Sequence, residues 1–153
     1  MGPREFSVPA DHNAEFIGEL GFEPAFSVTI KHDPAVVIGG PKGERIYRKV
    51  TGGTVKGKIN GTFYPDGTGE YSLGRSDGVI DINAHLLMRD ENGEWIYLYN
   101  TGYLRPDGYY RVTSWVDADV RGKHGWVLGL FFIGSGKLAA DGRSTTIDFY
   151  EVT

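Results

Sequence analysis

An aspartate, an asparagine and a histidine occupy every second position of one short segment, as Asp81, Asn83 and His85. In an extended strand, alternate side chains share a face. The three therefore stand in a row, opposite a face made of Ile80, Ile82, Ala84, Leu86 and Met88. An acid, an amide and an imidazole in line can hold a polar substrate and move a proton. The same row can also be the wet face of an antiparallel strand. Which face of segment 79–88 points inward decides between the two.

Two further segments carry chemistry of a related kind. Trp95, Tyr97, Tyr99, Thr101 and Tyr103 share one face of segment 95–103. That makes an amphipathic wall of phenols, suited to a flat or hydroxylated ligand, or simply to covering a strand. Segment 109–116 places Tyr109, Arg111, Thr113 and Trp115 together. An arginine between aromatics can grip a carboxylate or enolate through two parallel N–H bonds, or stack at a rim. Arg75 and Asp77 flank the turn before the polar row and are expected to clasp each other. Trp126, Leu128, Leu130 and Phe132 read as plain core.

The elements that must position these residues read as strands. Pro65-Asp66-Gly67, Ser76-Asp77-Gly78, Glu91-Asn92-Gly93, Pro106-Asp107-Gly108 and Ala140-Asp141-Gly142 punctuate the chain. Asp-Gly and Asn-Gly supply the positive φ that tight hairpins need. The 23 glycines are about twice the usual share and form no repeat. Expected strands are 22–31, 35–38, 45–51, 55–63, 70–74, 79–88, 95–103, 109–116, 125–134 and 145–152. Short connections make neighbours antiparallel. Closing the sheet removes its edges, so we expect an all-β fold, a single antiparallel barrel of about eight to ten strands. A two-sheet sandwich is the rival. Residues 1–21 read as an N-terminal arm or a short helix over Asp11–Leu20, and 22–153 as the barrel domain.

Composition narrows the function. The net charge of −4 with interspersed signs offers no basic stripe for nucleic acid. There is no cysteine, hence no disulfide, thiolate site or cysteine nucleophile. No apolar run reaches the roughly 20 residues of a membrane span, and no signal-peptide core opens the chain. We expect a cytoplasmic protein. His12, His32 and His124 lack a histidine partner two or four residues away, so spacing offers no metal site. Phosphate loops, dinucleotide fingerprints and nucleophile elbows are absent.

Several of these residues together resemble a known family. Gly43-Glu44-Arg45-Ile46, Val50 to Gly57, Ile59-Asn60-Gly61, Ser76-Asp77-Gly78, Asp81 to His85, Asn92-Gly93, Thr101-Gly102 and Phe149 to Val152 are similar to the family labelled domain of unknown function 3237. The resemblance covers about residues 22–152 and implies a small antiparallel barrel, similar in build to allene-oxide-cyclase and dirigent barrels. It implies no particular activity.

The reading that follows is a cofactor-independent isomerase, cyclase or lyase. It would act on a small, partly apolar substrate of aromatic, polyketide or terpenoid character inside the barrel. Asp81 would be the base, His85 and Tyr97 proton donors or acceptors, and Arg111 the anion stabiliser. Tyr71, Asn83, Tyr99 and Trp115 would shape the pocket. No metal or other cofactor is expected, nor a nucleic-acid or membrane partner, and a homodimer or higher homo-oligomer is. A lipocalin-like binder of the same kind of molecule, or a structural protein that oligomerises through its outer face, are the other readings.

Overall fold

The computed structural model describes residues 18–153. Ten strands form one sheet: β1 (Phe22–His32), β2 (Val36–Gly40), β3 (Gly43–Gly57), β4 (Gly61–Phe63), β5 (Gly69–Gly74), β6 (Ile80–Asp90), β7 (Trp95–Leu104), β8 (Tyr110–Ala118), β9 (Phe132–Leu138) and β10 (Ser144–Val152). Every pairing is antiparallel, and β1 bonds to both β10 and β3. That double pairing closes the sheet into an eight-strand barrel with two extra strands. β4 and β5 share one place between β3 and β6, and β2 is an extra edge on β3. The expected arm or helix over 11–20 lies almost wholly outside the described residues; Gly18–Gly21 are not helical. No helix is long and apolar enough to cross a membrane among the described residues.

Hairpin turns form at four of the five Asp-Gly and Asn-Gly positions; Pro65–Gly67 is instead a single 3-10 turn between β4 and β5, which do not pair with each other. Gly78, Gly93, Gly108 and Gly142 all have positive φ, and Asp77, Asp107 and Asp141 each accept a backbone N–H two residues on. Arg75 clasps Asp77 as expected.

Three expected strands are bounded differently. The strand expected over 55–63 stops at Gly57 and resumes as β4 at Gly61, because Asn60 turns the chain by bonding back to the Gly57 N–H and carbonyl. β3 runs unbroken through Gly52-Gly53, where the sequence predicts a break. Gly53 has φ +144° and leaves room for the Thr29 carbonyl that a side chain would strike. The pairing slips by one residue at Thr51, beside the two glycines, where β3 begins to pair with β1. Segment 125–131 is a 3-10 turn and loop, with β9 beginning only at Phe132. The Leu130 N–H bonds back to Val127, and Gly129 turns with φ +82°. Leu128 is consequently exposed, while Phe132 is core.

The core fills the lumen. Val28, Leu86, Met88, Ile96, Leu98, Val112, Phe132, Ile147 and Phe149 are almost fully buried. Phe26 stacks against Phe149 and Phe132 with centroids 5.1 and 5.7 Å apart.

Candidate functional site

The faces of β6 are settled by its burial pattern: Ile82, Ala84, Leu86 and Met88 point in. Asp81, Asn83 and His85 therefore lie on the outer wall, and the expectation that they line the lumen is corrected. The reason is volume. Four aliphatic side chains bury more apolar area in the lumen than the polar row could, and the polar row keeps its water outside.

The outer wall nonetheless gathers the expected residues. His85 Nδ1 hydrogen-bonds the Tyr97 hydroxyl. The His85 ring stacks on Tyr99 at 4.6 Å, and Asn83 Nδ2 donates to the Tyr99 hydroxyl at 3.0 Å. The Tyr97 phenol is pushed up by burial and by Tyr99 and Asp117 beside it. Asp81 accepts from Arg75 at 3.3 Å. It shares an open groove of about 610 Å³ with Arg111, Tyr103 and Tyr109. Arg111 lies over the Tyr109 ring at 5.0 Å. Tyr71 stacks on Tyr47 in a separate groove that includes His85. Trp115 is 63% exposed and packs beside Phe131. These residues share a surface but enclose nothing.

A different set of polar groups does face the lumen. Arg48, Glu70, Ser72, His32, Thr145, Asn100, Ser114 and Tyr110 form a buried polar layer among the aliphatics. Arg48 Nη1 reaches Glu70 Oε1 at 2.9 Å, and the Ser72 hydroxyl donates to the same oxygen at 2.7 Å. His32 Nδ1 lies 3.1 Å from the Asp33 carbonyl, and Nε2 lies 2.9 Å from the Thr145 hydroxyl. A carbonyl only accepts, so Nδ1 carries the proton and a neutral ring leaves Nε2 as acceptor. Burial, with Glu70 nearby, pushes the Tyr110 phenol well above its ordinary range. Asn100 Oδ1 and Ser114 Oγ are buried with no hydrogen-bond partner among the described residues.

His32, Arg48, Glu70, Asn100, Tyr110 and Thr145 converge on an enclosed cavity of about 20 Å³. That is room for one water-sized group. Tyr110 also packs its ring on Gly136, which lines a groove of about 620 Å³ at the barrel mouth with Ile80, Leu104 and Leu138. The Tyr110 ring thus lines the inner cavity, and Gly136 stands between it and the outer groove.

Five of these eight positions carry a signal in the sequence. His32, Arg48, Asn100, Ser114 and Thr145 each break an apolar alternation: Val28-Ile30-His32, Ile46-Arg48-Val50, Ile96-Leu98-Asn100, Val112-Ser114-Val116 and Thr145-Ile147-Phe149. A polar residue in step with core residues is a buried polar residue.

Comparison with known proteins places this barrel. The family model described as protein of unknown function (DUF3237) matches residues 20–152. The chain belongs to the DUF3237 family. A UPF0311 protein of Clostridium acetobutylicum is 26% identical over 136 residues, covering 76% of this chain and 85% of the relative. Solved structures share the fold. A β-barrel-like protein from Acinetobacter baumannii superposes with TM-score 0.80 at 20% identity, covering 92% of this chain and 100% of its own. An enzyme from Penicillium herquei gives TM-score 0.74 at 18% identity, covering 92% and 99%. Within this DUF3237 barrel, the resemblance seen in the glycine-and-turn pattern extends through all ten strands.

Proposed function

We propose that this DUF3237 barrel is an acid/base enzyme of the isomerase, cyclase or lyase class that needs no cofactor. Its chemistry would take place at the buried polar layer rather than on the outer row. The observation that carries this reading is the convergence of a carboxylate, an imidazole and a phenol on one enclosed cavity. Two unpartnered buried polar atoms belong to the same layer. Orphaned polar atoms cost about 1–3 kcal/mol each, a cost that a bound polar group would remove. That a protein of the same fold is described as an enzyme adds to the reading.

In this scheme Glu70 takes a proton from carbon next to a carbonyl. Arg48 and Ser72 fix its carboxylate, and the Tyr110 phenol, kept neutral by burial, donates to the developing oxyanion. His32, oriented by Asp33 and Thr145, holds or returns a proton at Nε2. The cavity admits only the reacting end of a ligand. The apolar remainder would lie in the mouth groove after Tyr110 moves aside.

Proton exchange tests this without knowledge of the substrate. Wild-type protein in D₂O should incorporate deuterium α to the carbonyl in some members of a panel of cyclic enones and aryl ketones. Glu70→Gln should abolish the exchange, and Asp81→Asn should leave it intact. Exchange that survives Glu70→Gln, or is lost in Asp81→Asn, overturns the assignment. A ligand that binds and is recovered without label marks a carrier instead.

A further inference from the structure

At the far end of β6, the β6–β7 hairpin meets the loop that joins β8 to β9. Asp90 and Glu94 bracket the Asn92-Gly93 turn, and His124 comes from the loop. His124 Nε2 lies 2.7 Å from Asp90 Oδ2 and 3.8 Å from Glu94 Oε2. One potential ligand atom from each of the three lies within 4.8 Å of the other two. The Asp90 and His124 side chains are 1% and 4% exposed, and that of Glu94 is 33% exposed.

The two carboxylates are held in place from behind. Asp90 Oδ1 accepts the backbone N–H groups of Asn92 and Glu94, both at 2.8 Å. Glu94 Oε1 accepts the Lys123 N–H at 3.1 Å. Gly122 leaves the space Glu94 needs, because a side chain there would strike Oε1. Two atoms are left over. Glu94 Oε2 is shielded from solvent with no donor among the described residues, and His124 Nδ1 is likewise unpartnered. The Nε2 proton that faces Glu94 Oε2 is already given to Asp90. A shielded carboxylate oxygen facing a second carboxylate across one imidazole makes a place where a bound cation would be stabilised.

We propose that Asp90, Glu94 and His124 form a divalent-cation site, and that its ion is zinc. One imidazole nitrogen and two carboxylate oxygens with a water suit zinc, whereas calcium and magnesium prefer oxygen alone. Tetrahedral ligands at zinc distances stand about 3.3 Å apart, and the 2.7 and 3.8 Å separations straddle that value. The ion takes the place of the Nε2 proton, which leaves to solvent, and Glu94 Oε2 gains a cationic partner. The site lies six residues beyond Ala84 along β6, about 20 Å from the polar layer at the strand rise per residue. It is therefore a structural ion that ties loop 119–127 to the β6–β7 hairpin at one end of the barrel, away from the polar layer.

Titration calorimetry of chelator-treated protein with zinc chloride tests the proposal. One equivalent should bind and raise the melting temperature. Glu94→Gln keeps the Asp90–His124 bond and should fold normally, yet bind zinc at least tenfold more weakly. His85→Ala, which removes an exposed imidazole on the other wall, should leave binding unchanged. Absence of saturable one-to-one binding below about 1 mM zinc overturns the proposal. So does wild-type affinity in Glu94→Gln, or loss of binding in His85→Ala.

Discussion

Arg48 and Glu70 form an ion pair with side chains 10% and 12% exposed, inside a lumen otherwise filled with aliphatics. Removing one partner strands the other charge. Arg48→Met should therefore destabilise by roughly 3–5 kcal/mol, seen as a lower urea midpoint with an unchanged slope. Arg48→Met combined with Glu70→Leu should recover most of that loss, because no charge is then left buried. Asp81→Asn on the outer wall should stay within about 0.5 kcal/mol; a loss as large as that of Arg48→Met would contradict the faces assigned to β6. Tyr110 makes a pH prediction. Its folded phenol is held above the ordinary value near pH 10. Its stabilising contribution is thus complete below that value and is lost as pH rises toward the folded value. Melting temperatures taken over about pH 8–11 should fall less steeply for Tyr110→Phe than for wild type.

Elements are shaped as much by glycine as by apolar side chains. Gly136 on β9 lies against the Tyr110 ring, and Gly134 leaves room for Ile147, Phe149 and Val112. The ring that closes the inner cavity sits in the space Gly136 leaves. Gly136→Ala should cost about 1–3 kcal/mol by overpacking. Gly39→Ala on β2, where nothing lies within 4 Å, should be neutral or slightly stabilising in the same denaturant assay. Strand positions were legible from turn chemistry, since Asp-Gly and Asn-Gly can do little else. The continuation of β3 through Gly52-Gly53 was not. Two glycines read locally as a break, and only the Thr29 carbonyl across the pair shows why the strand continues. Segment 125–131 failed in the opposite way: its apolar alternation imitates a strand, while Gly129 turns the chain out of it.

The whole molecule depends on β1. It pairs with β10 across more than a hundred residues of chain and with β3 on its other side, so no lumen exists until the two ends of the chain meet. β2 contributes nothing to that closure. It bonds to β3 alone and is exposed along its whole length. Hydrogen exchange read by mass spectrometry should show β2 amides exchanging early, and those of β6 and β7, paired on both sides, exchanging last. Equal protection of β2 and β7 would mean that the edge is covered in solution.

The amino-acid sequence by itself determined the class of this protein. Turn residues at short, regular intervals between period-two apolar segments admit an antiparallel all-β chain and little else, and absent cysteine removed thiol chemistry at once. Alternation also sorted β6 correctly into two faces, one holding Asp81, Asn83 and His85 and the other holding Ile82, Ala84, Leu86 and Met88. Period two says which residues share a face but not which face is enclosed. That was decided only when eight strands closed on one another and the lumen had to be filled. Closure turned the expected row outward, drew Arg48, Glu70, His32 and Tyr110 from four separate strands around one cavity, and brought His124 to Asp90 across 34 residues. Alternation marks His32 and Arg48 as buried but does not say what they meet, because each partner is placed by the strands beside it and not by its neighbours in sequence.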